Sequence, residues 1–340
     1  MRHARVKAAG VGCYHVVSRI VDRTFRLDNK EKEIFRGTMR RAAAFCGVRV
    51  LTYAVMANHF HLLVEVPERA EVDEAELIRR MTILYGRAYV ANALRQWAEW
   101  RRTGAASLVE EQQNRLRARM FDISAFVKTV KQRYSMSYNG RHGRKGTLWE
   151  DRFKSVLVEN SENAKAAVAA YIDLNPVRAK IVADPKDYRW SGYGEACAGG
   201  KLAREGLTAV HESRWTEQPG TWRHVAKRYR VLLYTAGVEK REAYGERVVR
   251  PGIATAEVDR VIEGGGKLTL PQALRCRVRY FTDGMAVGGQ AFVDGVFERN
   301  RRFFGAKRKD GARKMRFVDW GDLRVARALR IEPVSLPLTT

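Results

Sequence analysis

Cys13 to Val21 (CYHVVSRIV) strings β-branched and apolar residues together, the pattern of a strand. Asn29 to Phe45 then spaces its apolar positions three and four apart, which predicts a helix closed by Gly47. Val48 to Met56 and Phe60 to Val66 return to strand pattern, joined by the short polar turn Ala57-Asn58. Glu74 to Arg102 and Leu108 to Arg119 read as helices around a break at Gly104, and Phe121 to Tyr138 as an amphipathic helix closed by Asn139-Gly140. A basic, glycine-punctuated loop, Arg141 to Lys145, leads to a further strand, Lys154 to Glu159 (KSVLVE). Ser161 to Leu174 is again helical, with Ser161 in capping position. The order β-α-β-β-α-β with an extra final helix predicts an α+β fold: a ferredoxin-like antiparallel sheet with helices on one face and an unusually long crossing segment.

The pattern changes beyond about Gly200. Lys201 to Gln218 is mixed and polar, Thr221 to Glu246 is largely helical in pattern, and Gly264-Gly265-Gly266 marks a hinge. Leu268 to Tyr280 and Gln290 to Phe304 read as two helices around a turn at Asp283 to Gly289, a candidate helix-turn-helix or a small helical cap. The expected division is an α+β domain over 1–197, a helical linker region over 198–265 and a basic helical C-terminal region over 266–340.

Composition narrows the partner. The 340 residues carry 63 Lys and Arg against 38 Asp and Glu, a net charge of +25, which favours a polyanion, nucleic acid first. Apolar content suffices for a folded core, no apolar stretch approaches membrane-spanning length, and Met1 to Gly10 lacks a signal-peptide core, so a cytoplasmic protein is expected. Cys13, Cys46, Cys197 and Cys276 form no CxxC pair and are expected to be buried free thiols.

Two local patterns carry chemistry. In Asn58-His59-Phe60-His61 the strand period puts His59 and His61 on one face, roughly 6 to 7 Å apart at the backbone. In Tyr171-Ile172-Asp173-Leu174-Asn175-Pro176 helical spacing puts Tyr171 and Asn175 on one face. Alone, a His-x-His pair is commonly packed or superficial, Asn before Pro is a good helix N-cap, and Tyr171 could be a core aromatic. Tyr134, on a helix amid basic residues, is the alternative tyrosine. His15 and Arg19 lie on a strand expected to be central, either near phosphate or as buried structural groups.

The segments YHVVSR (from Tyr14), AVMANHFHLLVEVP (from Ala54), VKQRYSMSYNGRHGRKGTLWEDRFKSVLVE (from Val130) and AYIDLNPVRAKIV (from Ala170) together resemble the REP-associated tyrosine transposases, single-tyrosine members of the HUH nucleases. The resemblance covers roughly residues 10 to 195. It implies that His59 and His61 are metal ligands, that Asn175 is a third, and that Tyr171 is the nucleophile, with Mg²⁺ or Mn²⁺ as cofactor. Two imidazoles by themselves would favour softer metals such as zinc. The implied activity is cutting and rejoining of single-stranded DNA beside hairpin-forming repeats through a 5′-phosphotyrosine, by a monomer, with a homodimer as the alternative. Two other readings remain open: a domesticated, non-cleaving hairpin-binding protein, and a replication-initiator or relaxase-like enzyme.

Lys128, Lys131, Arg133, Arg141, Arg144, Lys145, Arg152 and Lys154, interleaved with Tyr134, Trp149 and Phe153, have the composition of a single-strand DNA groove. A solvated basic face over core aromatics would have the same composition. The later group from Arg299 to Lys314 is a second candidate DNA contact.

Overall fold

In the computed structural model the described residues are 5–211, 221–234, 240–241, 248–250, 274, 279–305, 307–315 and 320–327. The chain runs β1 (Gly12–Arg19), α1 (Asn29–Cys46), β2 (Arg49–Val55), β3 (His59–Val66), α2 (Glu74–Tyr85), α3 (Arg87–Arg102), α4 (Ala106–Arg117), α5 (Ile123–Arg141), β4 (Lys154–Val158) and α6 (Glu162–Asp173). There follow α7 (Asn175–Arg178), α8 (Gly192–Cys197), α9 (Lys201–His211), α10 (Trp222–Tyr234), β5 (Lys240–Arg241), β6 (Val248–Arg250), α11 (Tyr280–Asp283), β7 (Ala286–Gly288), α12 (Gln290–Arg299), β8 (Arg313–Lys314) and β9 (Arg324–Ala326).

Local chemistry explains most of these boundaries. The carboxylates of Asp28, Asp73 and Asp122 and the hydroxyl of Ser161 cap α1, α2, α5 and α6 by accepting from the backbone N–H three residues on. Gly47 ends α1 in the left-handed conformation (φ 64°), where a Cβ would meet Phe121 at 2.8 Å. The helical run expected from Glu74 to Arg102 is interrupted at Gly86 (φ 87°), a backbone angle that L side chains avoid.

Strands β2, β3, β1 and β4 lie in that order and pair antiparallel, so β1 is central, as its apolar run predicts. The strand period divides them between two cores. Tyr14, Val16, Phe60, Leu62 and Val64 pack with Phe35, Met39, Leu77, Phe126 and Val130 of α1, α2 and α5. Cys13, Leu63, Val156 and Val158 pack with Val168, Tyr193 and Leu207 of α6, α8 and α9. The ferredoxin-like α+β unit therefore has its crossing helices on one face as expected, but its second face is covered too. Added helices make that cover, burying Cys13, His15 and Leu63 on the second face of β1 and β3. Gly206 lets α9 lie against β2: a Cβ there would stand 2.5 Å from the Val50 carbonyl oxygen.

Later segments depart further from expectation. Within Thr221 to Glu246, α10 ends at Tyr234 and β5 pairs with β6 in a small separate sheet. The expected turn from Asp283 to Gly289 contains β7, which pairs parallel to β4, and β9 and β8 extend the same sheet beyond it. α12 packs its apolar face, Val293, Val296 and Phe297, inward. The other expected helix, Leu268 to Tyr280, falls mostly outside the described residues, as does Cys276. Cys13 and Cys46 are buried, whereas Cys197 is exposed. No helix among the described residues is long and apolar enough to cross a membrane.

Candidate metal and nucleic-acid site

β3 begins with its two histidines on the face that carries α6. His59 and His61 stand opposite Arg19 and Val17 of β1, with ring centroids 5.1 Å apart. Tyr171, near the end of α6, brings its ring to 6.2 Å from that of His61. Asn175 follows one turn later at the start of α7. All four line one open cleft of about 720 Å³, with Arg19, Arg152, Lys154 and Arg178 also in its wall.

Hydrogen bonds assign the proton on each imidazole. Nδ1 of His59 lies 2.6 Å from Asn58 Oδ1, an atom that only accepts, so Nδ1 carries the hydrogen and Nε2 the lone pair. The Asn58 amide is oriented in turn by donating to the Arg23 carbonyl at 2.9 Å. Nδ1 of His61 lies 2.9 Å from Nε2 of His15, whose own Nδ1 is 2.7 Å from the Phe281 carbonyl. The carbonyl accepts, so His15 carries its hydrogen on Nδ1. Burial pushes the pKa of His15 down to about 4, keeping it neutral and its Nε2 an acceptor. His61 must therefore donate from Nδ1, which leaves its Nε2 as the lone-pair nitrogen. Burial and the neighbouring His59 also hold His61 well below the ordinary imidazole pKa.

This donor set fits a divalent cation. Two imidazoles each present Nε2, and Asn175, whose Nδ2 donates to the Tyr171 and Ile172 carbonyls at 3.3 Å each, keeps Oδ1 as its acceptor. Asn175 thus caps the end of α6 instead of the start of the next helix. Among the described residues no three His, Cys, Asp or Glu side chains cluster as a metal site, so the amide and solvent would complete the shell. Tyr171 is only 3% exposed: the Arg178 guanidinium lies 4.1 Å above its ring and Phe281 packs at 5.2 Å.

Residues 11–102 match the IS200-like transposases. A solved structure, a REP-associated tyrosine transposase bound to a REP hairpin, is similar at 14% identity and a TM-score of 0.38, over 74% of this chain and 100% of that one. Among curated proteins none matches. The IS200-like span holds His15, His59 and His61 but ends before Tyr171 and Asn175.

Outside that IS200-like span the expected basic groove divides. Arg152 and Lys154 line the cleft. Arg141 is tied to buried Glu31 at 2.6 Å, Arg144 donates to Asn139 and the Thr147 carbonyl, and Arg133 lies over the Tyr85 ring. Lys131 donates to the Asp151 carbonyl at 2.7 Å, and burial brings its pKa down to about 8. Lys128 and Lys145 are exposed away from the cleft wall. Trp149 and Phe153 are buried in the core, so they are not open faces for base stacking. Tyr134 is also buried, its hydroxyl donating to Glu31 Oε2 at 2.7 Å. Of the later basic group, Arg308 is turned to the Gly311 and Arg327 carbonyls. Sequence reasoning did not find Asn58, Arg178 or Phe281, whose roles depend on contacts across the fold.

Proposed function

We propose that the protein is a metal-dependent single-strand DNA endonuclease and strand transferase that cuts beside hairpin-forming sequences. The observation that carries this reading is the convergence of His59, His61, Asn175 and Tyr171 on one cleft with basic walls. Mg²⁺ or Mn²⁺ held by His59, His61 and Asn175 would offset phosphate charge and polarise the phosphorus. Arg19, Arg152 and Lys154 hold the strand by its phosphates. The Tyr171 phenol oxygen forms a bond to phosphorus while the bond from phosphorus to the 3′-oxygen breaks. The phenol proton ends on that oxygen, giving a 5′-phosphotyrosine and a free 3′-hydroxyl. The phosphodiester bond energy stays in the link, so rejoining to another 3′-end needs no nucleotide cofactor.

The test is incubation with a hairpin oligonucleotide, 5′ single-stranded flank included and labelled on the side retained by the enzyme, in Mn²⁺. Wild type is expected to give a covalent adduct stable to denaturing gels, and Tyr171→Phe none. Tight hairpin binding by wild type with no adduct would instead identify a non-cleaving binding protein. An adduct that persists in Tyr171→Phe would remove Tyr171 from the mechanism.

A further inference from the structure

One contact at the site comes from far outside the IS200-like span. The His15 ring is fully buried and sits between two partners, His61 Nδ1 on one side and the Phe281 carbonyl on the other. Phe281 belongs to α11, just before β7 takes its place beside β4. Its ring packs on Tyr171, and Arg178, lying over the same tyrosine, donates to the Leu274 carbonyl at 2.5 Å. Arg279, Thr282 and Asp283 line the cleft itself, and Lys154 bonds Asp283 at 3.1 Å.

The chemistry of the relay runs in one direction. A backbone carbonyl can only accept, so it draws a hydrogen of His15 onto Nδ1, and the ring, fully buried between that carbonyl and an imidazole, has no carboxylate bonded to it among the described residues to hold a second one. That makes Nε2 an acceptor, which forces the hydrogen of His61 onto Nδ1. Without the carbonyl, His15 could carry its hydrogen on Nε2 and donate to His61 Nδ1. His61 would then carry its own hydrogen on Nε2, the nitrogen a metal needs.

We propose that α11 is a working part of the metal site, its Phe281 carbonyl acting through the positioning residue His15 to hold His61 in the metal-binding tautomer. The inference rests on the metal reading above and adds to it a requirement for the C-terminal segment. A metal ligand provided by the IS200-like span is therefore set by a residue 266 positions from its relay histidine.

The experiment measures Mn²⁺ affinity by the loss of the free-ion EPR signal on full-length protein, without DNA, beside hairpin binding in chelator. His15→Phe keeps an aromatic ring but removes both hydrogen bonds; it is expected to weaken Mn²⁺ about 10- to 100-fold and leave hairpin binding within about two-fold. His15→Gln, whose amide oxygen can still accept from His61, should recover most of that loss, which a merely space-filling role would not predict. Phe281→Gly, which keeps the carbonyl but removes the ring that fixes it, should weaken Mn²⁺ several-fold. In the wild type, long-range ¹H–¹⁵N spectra should show Nδ1–H on both His15 and His61, a readout that needs no variant to fold. An Nε2–H tautomer at His61, or unchanged Mn²⁺ affinity in folded His15→Phe, overturns the relay and leaves the nuclease reading standing. Wild type that binds no Mn²⁺ overturns both.

Discussion

Tyr134→Phe separates the two candidate tyrosines by taking away one oxygen. The Tyr134 ring is buried, edge-on to Phe35 with centroids 5.2 Å apart, and its hydroxyl donates to Glu31 Oε2 at 2.7 Å. Glu31 also accepts from Arg141 at 2.6 Å and lies 2.9 Å from His142 Nε2, so it loses one of several partners and keeps its charge compensated. Burial and the adjacent carboxylate push the Tyr134 pKa well up, making it a poor source of phenolate. A hydrogen bond to a charged group contributes about 1.5 to 3 kcal/mol, and the retained partners argue for the lower half of that range, about 1.5 to 2 kcal/mol. At about 1.4 °C per kcal/mol for a chain of 340 residues, the melting temperature should fall by roughly 2 to 3 °C. Calorimetry measures that fall, and the hairpin adduct assay at 25 °C should show an undiminished covalent product. A variant that melts in this range yet forms no adduct would refute the assignment of Tyr171 and move the nucleophile to Tyr134. An unchanged melting temperature would refute the energetic reasoning about the Glu31 bond.

Other consequences are as direct. Glu31 is opposed by burial, but the hydrogen bonds from Arg141, His142 and Tyr134 prevail and hold it below its ordinary pKa of 4.5. Its contribution is therefore full above pH 4.5 and lost as pH falls below it, and urea melts of Glu31→Gln should show a flatter acid limb than wild type. Arg152→Ala with Lys154→Ala should reduce the magnitude of the log–log salt slope for hairpin binding by about 1.4 if both contact single-strand phosphates, whereas Arg141→Ala should cost stability and leave the slope unchanged. Gly206→Ala forces a Cβ against the Val50 and Leu51 carbonyl oxygens and should destabilise by about 1 to 3 kcal/mol in denaturant unfolding.

The central strands were legible because β1 and β3 are short runs rich in Val, Leu and aromatic residues, and Gly47 marks its helix end by adopting the left-handed conformation cheaply. The second layer of helices was not, since an apolar strand run says that a face is covered without saying by what. β7 was hidden by length: Ala286-Val287-Gly288 sits in a glycine-rich stretch that reads as a turn, and only its partners β4 and β9 make it a strand. At the site, His59 with His61 and Tyr171 with Asn175 are local pairs whose spacing is visible in the chain. Which cations face the cleft is a different kind of fact. Arg141 and Arg152 have the same charge, yet one is committed to Glu31, 110 residues earlier, and the other lines the cleft. His15 shows the limit most sharply, because its partners, His61 and Phe281, meet in the fold but lie far apart in the chain, 46 and 266 positions from it.

The parallel pairing of β7 with β4 has a bearing on how the molecule is made. As the chain leaves the ribosome, β4 can find β1 at once, but its other flank keeps its amide and carbonyl groups unsatisfied. Leu157 N–H waits for the Met285 carbonyl and Glu159 N–H for that of Val287, and Met285 itself then bonds the carbonyl of Ala326. A nascent chain that stops short of these residues carries an open β rim that invites pairing with a neighbour. Nonsense truncations after α10 should therefore accumulate as aggregates rather than as a smaller working protein.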